Sequence, residues 1–125
     1  MMLNEIGTYL QSQGIGTLGT DMFLGLMPDQ PDNCIALFEY AGSPPDLHWN
    51  GEYPGLQVRV RNKSYAAART KIEEVMEKLH GLHEQTLSGA RYLLIKARGS
   101  PEVLKRDNNN RVELFVNFEI IKESD

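Results

Sequence analysis

Cysteine is almost absent from the sequence, which has a single one, Cys34, among 125 residues. One cysteine cannot form an internal disulfide, and this usage is typical of proteins that fold in a reducing compartment. No histidine stands beside Cys34 to activate it, so we interpret its thiol as buried and inert rather than nucleophilic. A chain of this length can bury about two-thirds of its surface, which is enough for a core without disulfides or metal. We therefore expect one domain spanning residues 1–125.

The sequence also lacks an excess of positive charge and any long apolar run. Its 13 basic and 17 acidic residues give a formal net charge of −4, whereas a dedicated nucleic-acid-binding regulator, one alternative function, needs clustered lysine and arginine. No apolar stretch approaches the ~20 residues that span a bilayer. The first residues show no signal peptide. We expect a protein that does not contact membranes and that starts in a cytoplasm.

Recognisable catalytic motifs are missing as well. The glycine-rich stretch at residues 14–19 follows a predicted helix and lacks the lysine of a nucleotide-binding loop. His80 and His83, with Glu84, have a spacing that zinc ligands sometimes show, but Gly81 lies between them and no further cysteine or histidine pair completes the shell. A small metal-dependent hydrolase using these three residues is therefore only an alternative. We expect no enzyme activity, cofactor or metal.

The central part of the chain carries the clearest pattern. Apolar and polar residues alternate over residues 56–61, which predicts a strand with one face in contact with water. Ser64 is a predicted helix N-cap, and apolar residues at helical spacing follow over residues 65–79. Gly81 can adopt the left-handed conformation that ends a helix. The pattern predicts one strand leading directly into an amphipathic helix that packs on a sheet.

The remaining elements are predicted from the same periodicities. A short helix covers residues 3–10. A strand at residues 21–27 forms a hairpin or a close pair with a central strand at residues 34–40. A further core strand at residues 92–97 is expected to pair antiparallel with the longest strand, residues 112–121. The prediction is an α+β fold, a mainly antiparallel sheet with two helices packed on one face in a single-domain sandwich.

Two segments are predicted to be irregular. Residues 41–54 contain several prolines and glycines, which favour an extended excursion over a strand, and a loop of this length is usually functional. Its tryptophan, Trp49, could either fold back on the core or contact a partner, because tryptophan and tyrosine are enriched in interface hot spots. Residues 107–110 form a second, asparagine-rich turn.

Short packing and turn patterns follow one another in order along nearly the whole chain. They are Gly25–Asp29, Pro31–Tyr40, Pro54–Arg61, Tyr65 with Ala68 and Arg69, and Arg111 and Val112 with Asn117 and Phe118. Together they resemble the patterns of the minor capsid or tail-terminator (tail completion) proteins of long-tailed bacteriophages. Asn110 departs from this resemblance, since glycine is expected in the turn before Arg111.

The resemblance implies a non-enzymatic structural protein of the virion. Such a protein would cap the tail tube and join the tail to the head connector, usually as a hexameric ring. Its partners would be copies of itself, the tail-tube protein and a head-completion or connector protein, and it would assemble in the host cytoplasm. A role as a minor capsid or head-completion protein is the alternative. Six copies would carry a formal charge of −24. This charge would repel the DNA backbone, so that DNA could pass through the ring without binding to it.

A closed ring needs two different complementary patches on each subunit. We hypothesise that Trp49 and Tyr53 anchor one contact, and that Arg61 supports the long loop through a carboxylate. Alternatively, the arginines of the strand and helix, Arg69 included, pair with nearby glutamates. The predicted interface residues are Trp49, Tyr53, Arg59, Arg61, Asp107 and Asn109.

Overall fold

The structure is a computed structural model and describes residues 1–124. Two helices and seven strands follow one another along these residues, which confirms the predicted α+β class. The elements are α1 (Met2–Ser12), β1 (Met22–Leu24), β2 (Cys34–Ser43), β3 (Gly51–Asn62), α2 (Tyr65–Leu79), β4 (Leu82–Leu87), β5 (Ala90–Ala97), β6 (Glu102–Arg106) and β7 (Val112–Glu123).

The seven strands form one curled, mainly antiparallel sheet in the order β1-β2-β3-β7-β5-β4, with β6 also paired to β7. Strand β7 is the spine of this sheet. One of its edges pairs with β3 along almost its full length, and its other edge pairs first with β6 and then with β5. The antiparallel pairing of β5 with β7 is as predicted.

Alternate residues of the central strands form the hydrophobic core together with the helices. In β3, Leu56, Val58 and Val60 are buried, and the matching apolar residues of β7 lie beside them. Burying these residues on one face is the period-2 arrangement that the sequence predicts. The helices contribute Ile6, Leu10, Ala68, Ile72, Val75 and Leu79 to the same cluster.

Helix α2 begins and ends where its sequence predicts. The Ser64 hydroxyl accepts a hydrogen bond from the Ala67 amide at 3.2 Å, so it caps the first turn. Gly81 follows the helix with a φ of 83°, and its amide donates to the Ile95 carbonyl on β5. The glycine therefore turns the chain directly into β4.

The first two strands form the close pair that was one of the two predicted alternatives, and the other alternative, a hairpin, is excluded because β1 and β2 run parallel. A parallel pair needs the chain to return to the starting end of the first strand. Gly25, at a φ of 78°, begins this return, and its amide bonds to the Leu37 carbonyl. The connection then runs through the turn at residues 28–33, which we call the return turn.

The prediction of an irregular excursion over residues 41–54 is wrong for half of its length. Strand β2 continues to Ser43 and β3 starts at Gly51, so only residues 44–50 are a loop. Pro54 is tolerated within β3 because the pairing with β2 shifts register between Tyr40 and Ser43. The pairing with β7 also skips residues 53 and 54. A proline that lacks a ladder donor is confined to such irregularities or to edges.

Two strands have no clear signal in the sequence. All of β6 is exposed, and in β4 Leu87 alone is buried. Neither strand therefore needs the apolar alternation by which a half-buried strand is recognised. Both are short strands at the margins of the sheet, where polar side chains are ordinary.

A buried polar cluster joins α1 to the far end of the sheet. The Tyr92 hydroxyl donates to a Glu5 carboxylate oxygen at 2.6 Å, and the Lys122 ammonium lies 3.4 Å from the same oxygen. All three residues are buried. A buried carboxylate is costly unless it is paired and hydrogen-bonded, and here it is both.

Within residues 1–124, neither helix has the length and apolar character needed to cross a membrane.

The cap of α2 can be tested by substitution. Ser64→Ala removes the acceptor for the Ala67 amide and should lower the free energy of unfolding by about 1 kcal/mol. Ser64→Gly should lower it by only a few tenths of about 1 kcal/mol. Urea unfolding of both variants measures the difference. Equal costs for alanine and glycine would contradict a capping role for the hydroxyl.

Candidate protein-interaction surface

The loop between β2 and β3, residues 44–50, has an ordered tip built on one aspartate. Asp46 accepts hydrogen bonds from the His48 amide and the Tyr53 hydroxyl, both at 2.8 Å. The Trp49 indole N–H in turn donates to the Tyr53 hydroxyl at 3.1 Å. Two of the predicted interface residues, Trp49 and Tyr53, are therefore brought together, and the network holds them in place.

Trp49 packs on its own hairpin. Its ring meets that of Tyr53 edge-on, with centroids 6.4 Å apart, and lies against Gly51, where an added Cβ would be 2.1 Å from a ring carbon. Only glycine at position 51 allows this approach. Trp49 remains 40% exposed, and Leu47, two positions before it in the chain, is 93% exposed. The tip therefore presents a preformed apolar surface to the solvent.

The same network sets the ionisation of its acid. The hydrogen bonds from the His48 amide and the Tyr53 hydroxyl lower the pKa of Asp46, because they favour the charged carboxylate. The pKa of Tyr53 is correspondingly raised by its bond to Asp46. At neutral pH the tip therefore carries a negative charge beside its apolar side chains.

Arg61 supports the return turn through hydrogen bonds to its backbone carbonyls. It is buried, with 4% of its surface exposed. Its Nη2 donates to the carbonyls of Pro28 and Pro31 at 2.6 and 2.8 Å, and its Nε donates to that of Asp32 at 3.0 Å. The hypothesis that Arg61 supports the 44–50 loop through a carboxylate is wrong, because it supports a different turn through backbone oxygens.

Arg111 also binds the return turn and is as buried as Arg61. Its guanidinium contacts Asp29 at 2.9 Å, Asp107 at 2.8 Å and Asp32 at 3.3 Å. The hydrogen bond with Asp29 contributes most to the raised pKa of Arg111. Burial alone would raise the pKa of Asp107, but hydrogen bonds from Arg111 and Asn109 lower it instead. Arg111 belongs to the patterns that resemble the family, but the sequence does not indicate this structural role.

Arg59 lies on the face of the sheet opposite the helices, at a half-buried position. Its guanidinium stacks over the Phe38 ring at 4.5 Å and its Nε donates to Gln57 at 2.6 Å. Gln57 in turn donates to Asn117 on β7 at 3.0 Å. The predicted pairing of arginines with glutamates holds for Arg69, which bonds Glu73 at 2.9 Å, whereas Arg59 and Arg61 have the other partners described.

The turn between β6 and β7 contains the last two predicted interface residues. Asp107 accepts from the Asn109 and Arg111 amides at 3.0 Å, so its carboxylate organises the turn. Asn109 is exposed at its tip. Asn110 has a φ of 59°, a left-handed conformation that asparagine tolerates, which explains why asparagine serves where glycine was expected.

The histidines of the alternative hydrolase site are bonded to the backbone. His80 Nδ1 accepts from the Ala97 amide at 2.9 Å, and His83 Nδ1 lies 3.1 Å from the Gly81 carbonyl oxygen. In the part of the chain that the structure describes, no three histidine, cysteine or acidic side chains are grouped so that they could hold a metal ion.

The fold is shared with a chain of a solved particle structure. The chain is similar to a chain in a solved structure described as the virion of a native gene transfer agent particle, with a TM-score of 0.67 and 16% sequence identity. The similarity covers 85% of this chain and 81% of that chain. At this identity it shows a common fold.

The family follows from a second comparison. A family model described as bacteriophage tail terminator protein matches residues 9–124. The chain therefore belongs to the bacteriophage tail terminator family, a family of structural tail proteins, and the resemblance noted in the sequence is confirmed. A search of curated proteins found no significant match.

The support of the return turn by Arg61 predicts a large effect of its removal. Arg61→Ala would leave the turn carbonyls without their charged donor and should lower the free energy of unfolding by roughly 2–4 kcal/mol. Arg61→Lys should not restore stability, because one ammonium cannot reproduce the planar fork of donors.

Arg59→Ala is the matched control on the same strand. It removes a stacking contact worth about 1 kcal/mol or less. Urea unfolding of the three variants measures both effects. If Arg61→Ala and Arg59→Ala had the same unfolding midpoint, the role of Arg61 in the turn would be refuted.

The loop tip should respond to acid in a defined range. A lowered folded pKa means that the Asp46 interaction is fully present above the unfolded pKa of about 3.9 and is lost as pH falls through the folded value. Fluorescence of Trp49, the one tryptophan of the chain, should therefore stay constant down to about pH 4 and change only below it. Asp46→Asn keeps the acceptor and should lack this transition. A transition near neutral pH, or one unchanged in Asp46→Asn, would contradict the assignment.

Proposed function

We propose that this protein ends the tail of a long-tailed phage and joins it to the head connector, without enzymatic activity. Membership of the tail terminator family over residues 9–124 carries this proposal. The protein acts as one domain, a two-layer sandwich of helices over a sheet, and assembles into a ring of six on the end of the tail tube. Its place is the virion, after assembly in the host cytoplasm.

The exposed surfaces supply two different contacts, as a closed ring requires. The first is the tip of residues 44–50, where Trp49 and Tyr53 are held rigid before binding. A preorganised aromatic anchor loses little conformational entropy on association. The second is the outer face of the sheet around Arg59, next to the turn that carries Asp107 and Asn109. Arg61 acts indirectly, because it fixes the return turn beneath this face.

The partners are further copies of this chain, the tail-tube protein and a head-completion or connector protein. The genome passes through the ring during infection. Six copies carry a formal charge of −24, and a net negative ring repels the DNA backbone, which favours passage without binding.

Inactivation of the gene in a phage that encodes this chain should give tails of irregular length that remain unattached to heads. The wild-type gene supplied in trans should restore infectious particles. Trp49→Ala should restore at least about tenfold fewer, since truncating a hot spot costs about 2 kcal/mol or more. Electron microscopy of the lysate and the infectious titre measure both effects.

His83→Ala is the control, because His83 is an exposed residue away from both proposed contacts. It should restore the full titre, whereas a hydrolase that uses this histidine would lose its activity. Complete, joined tails in the absence of the gene product would refute the proposed function. Normal free tails together with defective heads would assign a head-completion role instead.

A further inference from the structure

The sheet has two open strand edges on opposite sides. Strand β2 pairs with β3 along one side, whereas on its other side β1 covers only residues 35–37. The following segment, residues 38–43, has no neighbouring strand there within residues 1–124, and we call it the β2 edge. Among the strands that the structure describes, β6 pairs only with β7, and we call its free side the β6 edge. An open edge presents unpaired amides and carbonyls to which another strand can bind.

The hydrogen bonds of β2 show which of its backbone groups face away from β3. The Ile35 amide donates to the Asp21 carbonyl at 2.8 Å, and the Leu37 carbonyl accepts from the Gly25 amide at 2.7 Å. In a strand, every second residue directs its amide and carbonyl to the same side. The amide and carbonyl of Glu39 therefore face outward too, where no strand or turn of the described chain pairs with them.

Arg106 occupies the corresponding position on β6. The next residue, Asp107, donates its amide to the Arg111 carbonyl at 2.9 Å, so the backbone of Asp107 faces β7. By the same alternation, the amide and carbonyl of Arg106 face away from β7. If the two edges meet, Glu39 and Arg106 can therefore exchange backbone hydrogen bonds as a pair of opposite residues.

The side chains of Glu39 and Arg106 also lie on the same face of the sheet. Glu39 stands opposite Leu56 in β3, and Arg106 stands opposite Val112 in β7. Both of these apolar residues are buried in the core, and residues directly opposite each other in neighbouring strands share a face. Both charged side chains are therefore on the face that carries the helices, and they would be adjacent if the edges met.

These two side chains carry opposite charges that the described chain does not neutralise. Glu39 is exposed and makes no ion pair with another described residue. Arg106 is exposed as well, and its guanidinium bonds the neutral amide oxygen of Asn110 at 3.2 Å. Lys105 adds no free charge, since its ammonium lies 3.6 Å from Glu113. Opposite charges on two surfaces steer them together and fix their register.

The β6 edge also exposes apolar side chains. Val103 is 53% exposed and Leu104 is 40% exposed, and an exposed apolar edge strand is prone to pair with another chain. When Arg106 stands opposite Glu39 in an antiparallel pair, Leu104 falls opposite Ala41, two residues further along each strand. The partner strand would therefore cover part of this apolar surface.

We propose that β6 of one copy of this chain adds to the β2 edge of the next copy as an antiparallel strand, with Arg106 opposite Glu39. A parallel pairing along both edges would instead place Glu102 beside Glu39, and like charges opposite each other are destabilising. Within one chain, β3 and β7 separate the two edges by three strand spacings, which is about 14 Å. The partner is therefore a second copy.

The inference rests on the proposed ring and specifies its subunit contact. Because the two edges are different surfaces, the contact is heterologous, and it closes into a ring if the rotation between subunits permits and otherwise gives an open filament. The pairing joins the sheets of neighbouring subunits into one. In such strand addition, main-chain hydrogen bonds supply the affinity and the side chains supply the specificity.

Disulfide trapping tests this pairing. Cys34 is first replaced by alanine, so that engineered thiols are the only ones. Protein with Glu39→Cys is then mixed with protein carrying Arg106→Cys, and oxidised glutathione serves as the oxidant. Opposite residues of a hydrogen-bonded antiparallel pair have Cα atoms about 5.5 Å apart, a distance that a disulfide bridges. Covalent dimers should form at least about tenfold faster than with Glu102→Cys, which corresponds to about 1.4 kcal/mol.

Glu102 is the matched control because it is exposed on the same strand, about 14 Å from Arg106 at the usual rise per residue. A disulfide cannot bridge Cα atoms more than about 7 Å apart. Equal trapping rates at positions 102 and 106, or faster trapping at position 102, would overturn the proposal. An Arg106→Cys protein that cross-links to the tail-tube protein in assembled tails, and not to position 39, would also overturn it.

Charge reversal provides a second test that leaves Cys34 in place. In a phage that lacks its own copy of the gene, Glu39→Arg and Arg106→Glu should each restore at least about tenfold fewer infectious particles than the wild-type gene. Each change places like charges opposite each other. The double variant restores opposite charges and should recover the titre. Glu77→Arg, the same reversal at an exposed position of α2, should not lower it. A double variant that fails to recover the titre would overturn the pairing.

The variant that carries both Glu39→Cys and Arg106→Cys separates this proposal from the proposed function. A ladder of covalent oligomers that ends at a closed species supports both. A ladder that continues without a limit supports the strand pairing but contradicts the ring. Tails that are capped and joined normally by the Glu39→Arg protein would refute the strand pairing and leave the terminator function standing.

Discussion

The buried guanidinium groups of Arg61 and Arg111 bind the return turn, and the arrangement of the sheet depends on these contacts. The parallel pairing of β1 with β2 forces the chain to return through residues 28–33, a segment rich in proline and aspartate. Arg61 reaches it from the end of β3 and Arg111 from the start of β7. Carbonyls and carboxylates that would need water thus receive fixed charged donors. Because Arg111 also binds Asp107, the turn between β6 and β7 is tied to the same point.

The sequence predicts those parts of the fold whose residues repeat with a clear period. Helix α2, with its Ser64 cap, is correct because an apolar stripe and a capping residue are local features. Strand β6 escaped prediction because its side chains are exposed and have no reason to alternate. The direction of β1 escaped because pairing depends on a long-range contact that short apolar runs do not encode.

Of the candidate interaction surface, too, one part could be predicted from the sequence and another could not. Trp49 and Tyr53 could be selected as exposed aromatic residues of a loop, and the structure shows them hydrogen-bonded to each other. The role of Arg61 could not be deduced, since its partners are backbone oxygens about 30 positions earlier. Every residue has a backbone carbonyl, so the residue types do not show which carbonyls accept. The family assignment depends on a match along most of the chain, because the physical pattern alone indicates an α+β protein with exposed contact surfaces.

The position of β7 as the spine of the sheet has a consequence for biosynthesis. Strands β3, β5 and β6 all pair with it, and all three leave the ribosome before it does. The nascent chain therefore cannot close its central ladder until translation reaches residues 112–123. The pairings of β7 with β3 and β5, which are distant in sequence, also form slowly. A chain that stops short of this strand lacks the common partner of three others and cannot complete the sheet.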